Sequence, residues 1–236
     1  MTLYLSRLRL ARDPAVRALD GLLNPDTAGA QKHAHHRLIW SCFAGDPDQR
    51  RDFLWRTEGR GQFLTLSQRP PGQSPLFDPP EVTEFAPDLR AGDRLAFALR
   101  ANATRTEKTG GLSTGGREKK RHIDLVMDAL KPVPKDGRAE VRMKLAQDVA
   151  ESWLAAKGAQ HGFAPGHVAV TDYGVAVLPG HRGPRHGQPQ YGILDLTGTL
   201  SVSDPAAFLS ALASGFGRAK AFGCGLMLIR RAPDRP

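Results

Sequence analysis

Lys32 to Trp40 reads KHAHHRLIW, which places three histidines and two cations within nine residues. At about 100° per residue along a helix, His33 and Arg37 face away from the apolar Leu38, Ile39, Cys42 and Phe43. His36 falls at the edge of that apolar arc, and His35 points into it. A half-buried imidazole beside a cation is disfavoured as imidazolium, which suits it to proton transfer near neutral pH. Three readings fit these residues. One is a helix whose histidines only pack and meet solvent. A second is a metal site, since His33 and His36 at i,i+3 reach one ion, although no carboxylate lies in the helix and no further Cys/His motif accompanies it. The third is acid–base catalysis on a phosphodiester. There, a base serves an attacking 2′-hydroxyl, an acid serves the leaving 5′-oxygen, and cations hold the phosphate.

A second feature is GFGRAKAFGCG, with Gly215, Gly217, Gly223 and Gly225 around Arg218 and Lys220. It follows a helical pattern rather than a strand and contains no GK[ST], so it is neither a dinucleotide fingerprint nor a P-loop. Glycines here let a backbone approach closely, and the two cations add charge. Two further basic groups stand out: Arg117, Lys119, Lys120 and Arg121, and the pair Arg182 and Arg185 on an irregular stretch. Each reads either as a solvated charge run or as a surface for phosphates.

The elements that must position these residues can be read from periodicity and punctuation. Leu3 to Leu10, Phe53 to Thr57, Gln62 to Ser67 and Arg94 to Arg100 have the alternation of strands, and His33 to Phe43 that of a helix closed by Gly45 and Pro47. Residues 69–80 carry five prolines and form a loop. Asn102 to Lys120 has no hydrophobic period and reads as a linker or mobile loop. A helix is expected to start near His122, and a longer one spans Val141 to Lys157. Val168 to Val170 and Val175 to Leu178 read as strands around a turn at Asp172–Gly174. Residues 180–190 are irregular, and Ile193 to Val202 is β-rich. Asp204 then caps a helix that has Pro205 in its first turn and runs to Ser214. Leu226 to Ile229 is a last strand. The pattern gives an α+β protein of two similar halves, each compatible with a split β-α-β unit: residues 1–105 with the histidine helix, a basic linker at 106–121, and residues 122–236 with the glycine-rich loop.

The 236 residues carry 33 Lys+Arg against 24 Asp+Glu, a formal charge of +9, and 24 of the 33 cations are Arg. A planar guanidinium fits phosphate bidentately, so this bias favours a polyanionic partner, although an Arg-rich solvated surface gives the same count. Hydrophobic content of 40% excludes a disordered chain. No apolar run reaches the roughly 18 residues that span a bilayer, and arginines interrupt the N-terminal MTLYLSRLRLARDP. Cys42 and Cys224 form no CxxC and no disulfide framework. A cytoplasmic protein is expected.

Taken in order, LYLSRLRL, the helix with HHRLIW, RDFLWRTE, FALRAN, LTGTLSVSDP and GFGRAKAFGCGLMLIRRAP resemble the CasE family, the precursor-RNA-processing subunit of type I-E Cascade. The resemblance runs along essentially the whole chain. It implies two tandem ferredoxin-like (RRM-like) domains and a metal-independent endoribonuclease needing no cofactor. Such an enzyme binds the repeat hairpin of precursor CRISPR RNA and cuts at its 3′ base. It leaves a 2′,3′-cyclic phosphate and stays bound with the other Cascade subunits. The family's catalytic histidine falls on His36 and the arginine after it on Arg37. Three positions depart from the family pattern. His33 stands where a tyrosine is frequent, Ala103 follows LRAN where proline is usual, and Arg182 and Arg185 stand where lysine is common. The first departure leaves a second reading, a non-cleaving scaffold that only binds the hairpin. On the resemblance, Arg117, Lys119, Lys120, Arg121, Arg182, Arg185, Arg218 and Lys220 are expected to contact RNA.

Overall fold

The computed structural model describes residues 2–25, 28–45, 48–49, 51–112, 115–116, 118–177 and 190–233. The first half forms β1 (Tyr4–Arg9), α1 (Pro14–Ala18), α2 (Asp20–Leu23), α3 (Ala28–Trp40), β2 (Phe53–Gly59), β3 (Gln62–Ser67) and β4 (Glu81–Glu84). Its antiparallel sheet has the order β2-β3-β1-β4. Then come β5 (Arg94–Ala101), β6 (Thr104–Leu112), β7 (Glu118–Asp124), α4 (Leu125–Ala129), α5 (Arg138–His161), β8 (Phe163–Val177), β9 (Gln190–Val202), α6 (Pro205–Ser214) and β10 (Met227–Arg231). The second sheet has the order β10-β5-β9-β8. Renumbered within its own unit, each sheet runs 4-1-3-2, the order of a split β-α-β ferredoxin-like domain. The fold is two such domains in tandem. In the first, the proline-rich residues between β3 and β4 replace the second helix.

Three sequence expectations change. Arg94 to Ala101 lies within the expected first half, 1–105, yet β5 pairs with β9 and β10, so the first sheet closes with β4. Local alternation says that a segment is a strand and not which sheet receives it. The expected linker at 106–121 falls on the β6–β7 hairpin, paired from Thr104↔Asp124 to Lys108↔Lys120 and, after a register shift, at Leu112↔Glu118. Nearly all its residues are exposed, so no burial imprints a hydrophobic period on it. The turn expected at Asp172–Gly174 is instead the interior of β8, where a register shift between Val170 and Asp172 absorbs the irregularity and Tyr173 is buried. The helix expected near His122 is α4, opened by Asp124, whose Oδ1 accepts from Met127 N. The anticipated cap at Asp204 is present, with Oδ1 accepting from Ala206 N and Ala207 N. Residues 178–189 lie outside the described residues, and with them most of the stretch expected to be irregular.

Both faces of the first sheet are covered. On one face, Leu38, Ile39 and Phe43 from α3 and the turn after it pack on Leu8, Phe53, Trp55 and Phe63, with Phe43 stacked on Phe53 at 4.4 Å. Burying one such side chain contributes about 1.5–3 kcal/mol. On the other face, Leu3, Leu54 and Leu66 meet Leu209, Ala213, Leu226 and Leu228 of the second domain. This second contact explains why Phe53, Leu54 and Trp55 are buried consecutively instead of alternating. Among the described residues no helix is long and apolar enough to cross a membrane.

Candidate active site and nucleic-acid interface

The glycine-rich loop is wedged between the two domains. Gly217 has φ +74°, and a Cβ there would stand 2.5 Å from the Asn102 carbonyl oxygen. Gly223, at φ +80°, lies flat on Trp55 of β2, where a Cβ would stand 3.2 Å from the indole. The close approach that the glycines allow is therefore to this protein's own backbone and rings. The loop holds a single 3-10 turn, Lys220–Phe222, which packs against α3 and β2.

The residues of LRAN anchor that wedge. Arg100 binds Asp195 bidentately at 2.8 Å through Nε and Nη2, and its Nη1 reaches Thr57 Oγ1 of the first domain at 3.3 Å. Asn102 is buried, and its Nδ2 donates to Asp124 Oδ2 and to the Gly192 carbonyl, each at 2.8 Å. Its own carbonyl accepts from Arg218 N at 3.2 Å. Asn102 thus ties β5, the hairpin base, β9 and the glycine loop together.

On α3 the three histidines have separate environments. His35 is a core residue, 4% exposed, edge-on to Phe63 and Trp55. Asn24 donates its Nδ2 to Asp20 Oδ1, which leaves Asn24 Oδ1 to accept from His35 Nε2 at 3.0 Å. Burial, then the charge of Lys32, pushes the His35 pKa down to about 4. His36 is half-buried, its ring edge-on to Trp40 and close to Phe53. Burial, then the charges of Arg51 and His33, brings its pKa down to about 4 as well. Its Nδ1 is buried without a hydrogen-bond partner. With its pKa lowered this far, the ring is neutral at pH 7. His33 and Arg37 are exposed on the outer face of the same helix.

The cations fall into two groups. Lys220 is half-buried, with its Nζ bonded to the Ser214 carbonyl at 2.5 Å. Burial, then the charges of Arg51 and Lys157, lowers its pKa. Arg51, which precedes β2, thus acts electrostatically on both His36 of α3 and Lys220 of the glycine loop. The second group lies on the hairpin. Lys119, Lys120 and Arg121 are exposed on β7, and His122 beside them feels the charges of Arg218 and Lys120. Arg218 thus belongs with the hairpin and Lys220 with the histidine helix, although two residues separate them in sequence. Arg117, Arg182 and Arg185 lie outside the described residues. Among the described residues no group of three or more His, Cys, Asp or Glu is arranged to hold a metal ion. Sequence reading missed Arg51 and the structural part of Asn102. Arg51 carries no local signal of its surroundings, because its neighbours in space come from distant segments.

Residues 3–231 match a family model described as CRISPR associated protein. The chain belongs to this family. The CasE resemblance carried by the motifs is borne out in sequence and in fold. This CRISPR-associated protein is 26% identical over 206 residues to the CRISPR system Cascade subunit CasE of Escherichia coli (strain K12), covering 82% of this chain and 89% of that relative. The CRISPR endoribonuclease Cse3 solved with a 19-nucleotide RNA shares its fold with a TM-score of 0.64 at 22% identity, over 97% of this chain and 99% of the other. Thermus thermophilus Cse3, solved with an RNA representing a pre-cleavage complex, gives 0.63 at 22%, over 99% and 100%.

Proposed function

We propose that this chain is a metal-independent endoribonuclease that binds the repeat hairpin of precursor CRISPR RNA, cleaves at its 3′ base and remains bound as a Cascade subunit. The observation that carries the reading is His36, a half-buried imidazole that is neutral at pH 7, with a nitrogen that has no partner among the described residues and the cation Arg51 acting on it. Membership of the CRISPR-associated family supports it, as do the relatives named as a Cascade subunit and as an RNA-bound endoribonuclease.

In the proposed reaction the 2′-hydroxyl oxygen attacks the adjacent phosphorus. The P–O2′ bond forms as the P–O5′ bond breaks. One proton leaves the 2′-hydroxyl and one reaches the 5′-oxygen, giving a 2′,3′-cyclic phosphate and a 5′-hydroxyl. His36 is the principal proton-transfer group, His33 its partner on the same helix, and Arg37 a phosphate contact. A bound phosphate offsets the positive neighbours of His36 and draws its pKa back toward neutrality, where proton transfer is most effective. Lys119, Lys120, Arg121 and Arg218 form the surface for the hairpin stem, whose A-form geometry offers phosphates and 2′-hydroxyls rather than readable base edges. Arg117, Arg182 and Arg185 are proposed to extend that surface, and Lys220 to contact RNA beside His36.

The test is His36→Ala assayed on a repeat hairpin, with and without EDTA. Loss of cleavage with retained binding, insensitivity of the wild type to EDTA, and a cyclic phosphate end are expected. Full cleavage by a folded His36→Ala variant refutes the role of His36, and activity abolished by EDTA refutes metal independence. A wild-type protein that binds the hairpin and leaves it uncut supports the scaffold reading instead.

A further inference from the structure

Arg51 precedes β2 and is half-buried. Burial lowers its pKa, and no carboxylate among the described residues offsets that. The adjacent Asp52 gives its Oδ2 to Arg69 at 2.7 Å, and its buried Oδ1 has no hydrogen-bond partner among the described residues. A desolvated guanidinium without a counter-anion destabilises the protein that carries it, and an arriving phosphate relieves that cost.

The surroundings specify where the anion would sit. Arg51 lines a pocket of about 230 Å³ together with Asp52, Phe53 and Gln68 of the first domain and Ser210 and Ser214 of α6. Phe53 is the ring beside His36, their centroids 6.3 Å apart. Ser214 supplies the carbonyl that holds Lys220 Nζ. The pocket thus lies between the immediate neighbours of His36 and of Lys220, and the charge of Arg51 acts on both.

We propose that Arg51 is a further catalytic residue of the His36 centre, its guanidinium seating the non-bridging oxygens of the scissile phosphate in the pocket between β2 and α6. The proposal rests on the endoribonuclease reading above. Arg51 transfers no proton. It donates hydrogen bonds to oxygens whose negative charge grows as the P–O2′ bond forms and the P–O5′ bond breaks. The groups facing His36 are His33 on its own helix, Arg51 from the start of β2, and the rings of Trp40 and Phe53. Removing Arg51 therefore leaves His33 as the remaining titratable neighbour of the ring.

The experiment compares Arg51→Ala, Arg51→Lys and His36→Ala in single-turnover cleavage of the repeat hairpin across pH. RNA affinity at fixed salt and melting of the free protein are measured alongside. Loss of a preorganised donor to developing charge costs on the order of 10²-fold in rate. Arg51→Ala is expected to lose about that much in the cleavage step, with a smaller change in Kd and partial recovery in Arg51→Lys. Its acid limb should move to higher pH, because a cation that disfavours imidazolium is gone. The free protein should melt no lower than wild type, since an unpaired half-buried charge has been removed. A purely structural Arg51 would instead lower the melting temperature and leave the pH profile in place. If His36→Ala is inactive while Arg51→Ala cleaves at the wild-type rate with an unshifted profile, this proposal alone fails. If His36→Ala cleaves fully, the underlying reading fails and takes this proposal with it.

Discussion

Lowering the pH from 7.5 to 5 should remove about 3 kcal/mol of folding stability by linkage at His35 and His36. Both rings have pKa values brought from 6.5 down to about 4, burial being the first cause in each case. Between those values the unfolded chain binds protons that the folded chain refuses. The contribution is therefore fully present above pH 6.5 and is lost as pH falls through the folded value. For a fully buried histidine with these two pKa values, linkage gives about 2 kcal/mol between pH 7.5 and 5. His35, at 4% exposure, takes that in full. His36 is partly exposed, and solvent screening reduces its share to roughly half. His122 and His161 also have lowered pKa values and push in the same direction. The assay is urea unfolding in half-unit pH steps, with the His35 ring protons followed by NMR. His36→Gln should keep about two-thirds of the loss by the same linkage. A stability that is flat between pH 7.5 and 5, or a His35 that titrates near 6.5, would refute the reasoning.

Three further outcomes are expected. Asp204→Ala removes an oxygen that accepts from two backbone N–H groups of α6 and should cost about 1 kcal/mol in denaturant unfolding. Gly217→Ala forces a side chain into left-handed backbone, at about 1–2 kcal/mol, and against the Asn102 carbonyl. It should lower the melting temperature and, by lifting the loop from β5, slow cleavage as well. Replacing Lys119, Lys120 and Arg121 together with Ala should weaken RNA binding and flatten the log–log salt slope by about 2, at roughly 0.7–0.9 per phosphate contact. An unchanged slope would show that β7 does not meet the RNA backbone.

Sequence alone carried much of this architecture where burial is one-sided. The alternation of β5 and the cap of α6 were readable because each leaves a local signature. The β6–β7 hairpin was not, because a ladder solvated on both faces imposes no pattern on its side chains. The place of β5 in the second sheet was not, because strand pairing is a long-range choice between partners of similar pattern. On α3 the helical arc correctly sent His35 inward and left His36 at the boundary. It could not show Arg51, which approaches from the far side of the turn after the helix. Asn102 was legible as part of a motif, but its task of joining four segments appears only when Asp124, Gly192 and Arg218 are brought around it.

The strand order also fixes a sequence of events. The first sheet draws all its strands from residues 4–84, so the histidine helix has a complete platform as soon as that stretch has emerged. The second sheet needs β10 beside β5, and the loop leading to β10 brings Lys220 to the cleft. A chain synthesised only to Ser214 would hold His36 in place while β5 kept a bare edge, open to pairing with a neighbouring chain. Completion of the last strand covers that edge and delivers the opposing cation in one step. An interrupted chain thus bares the edge of β5 and lacks the glycine loop, whereas in the finished chain the short β10 takes the outer position.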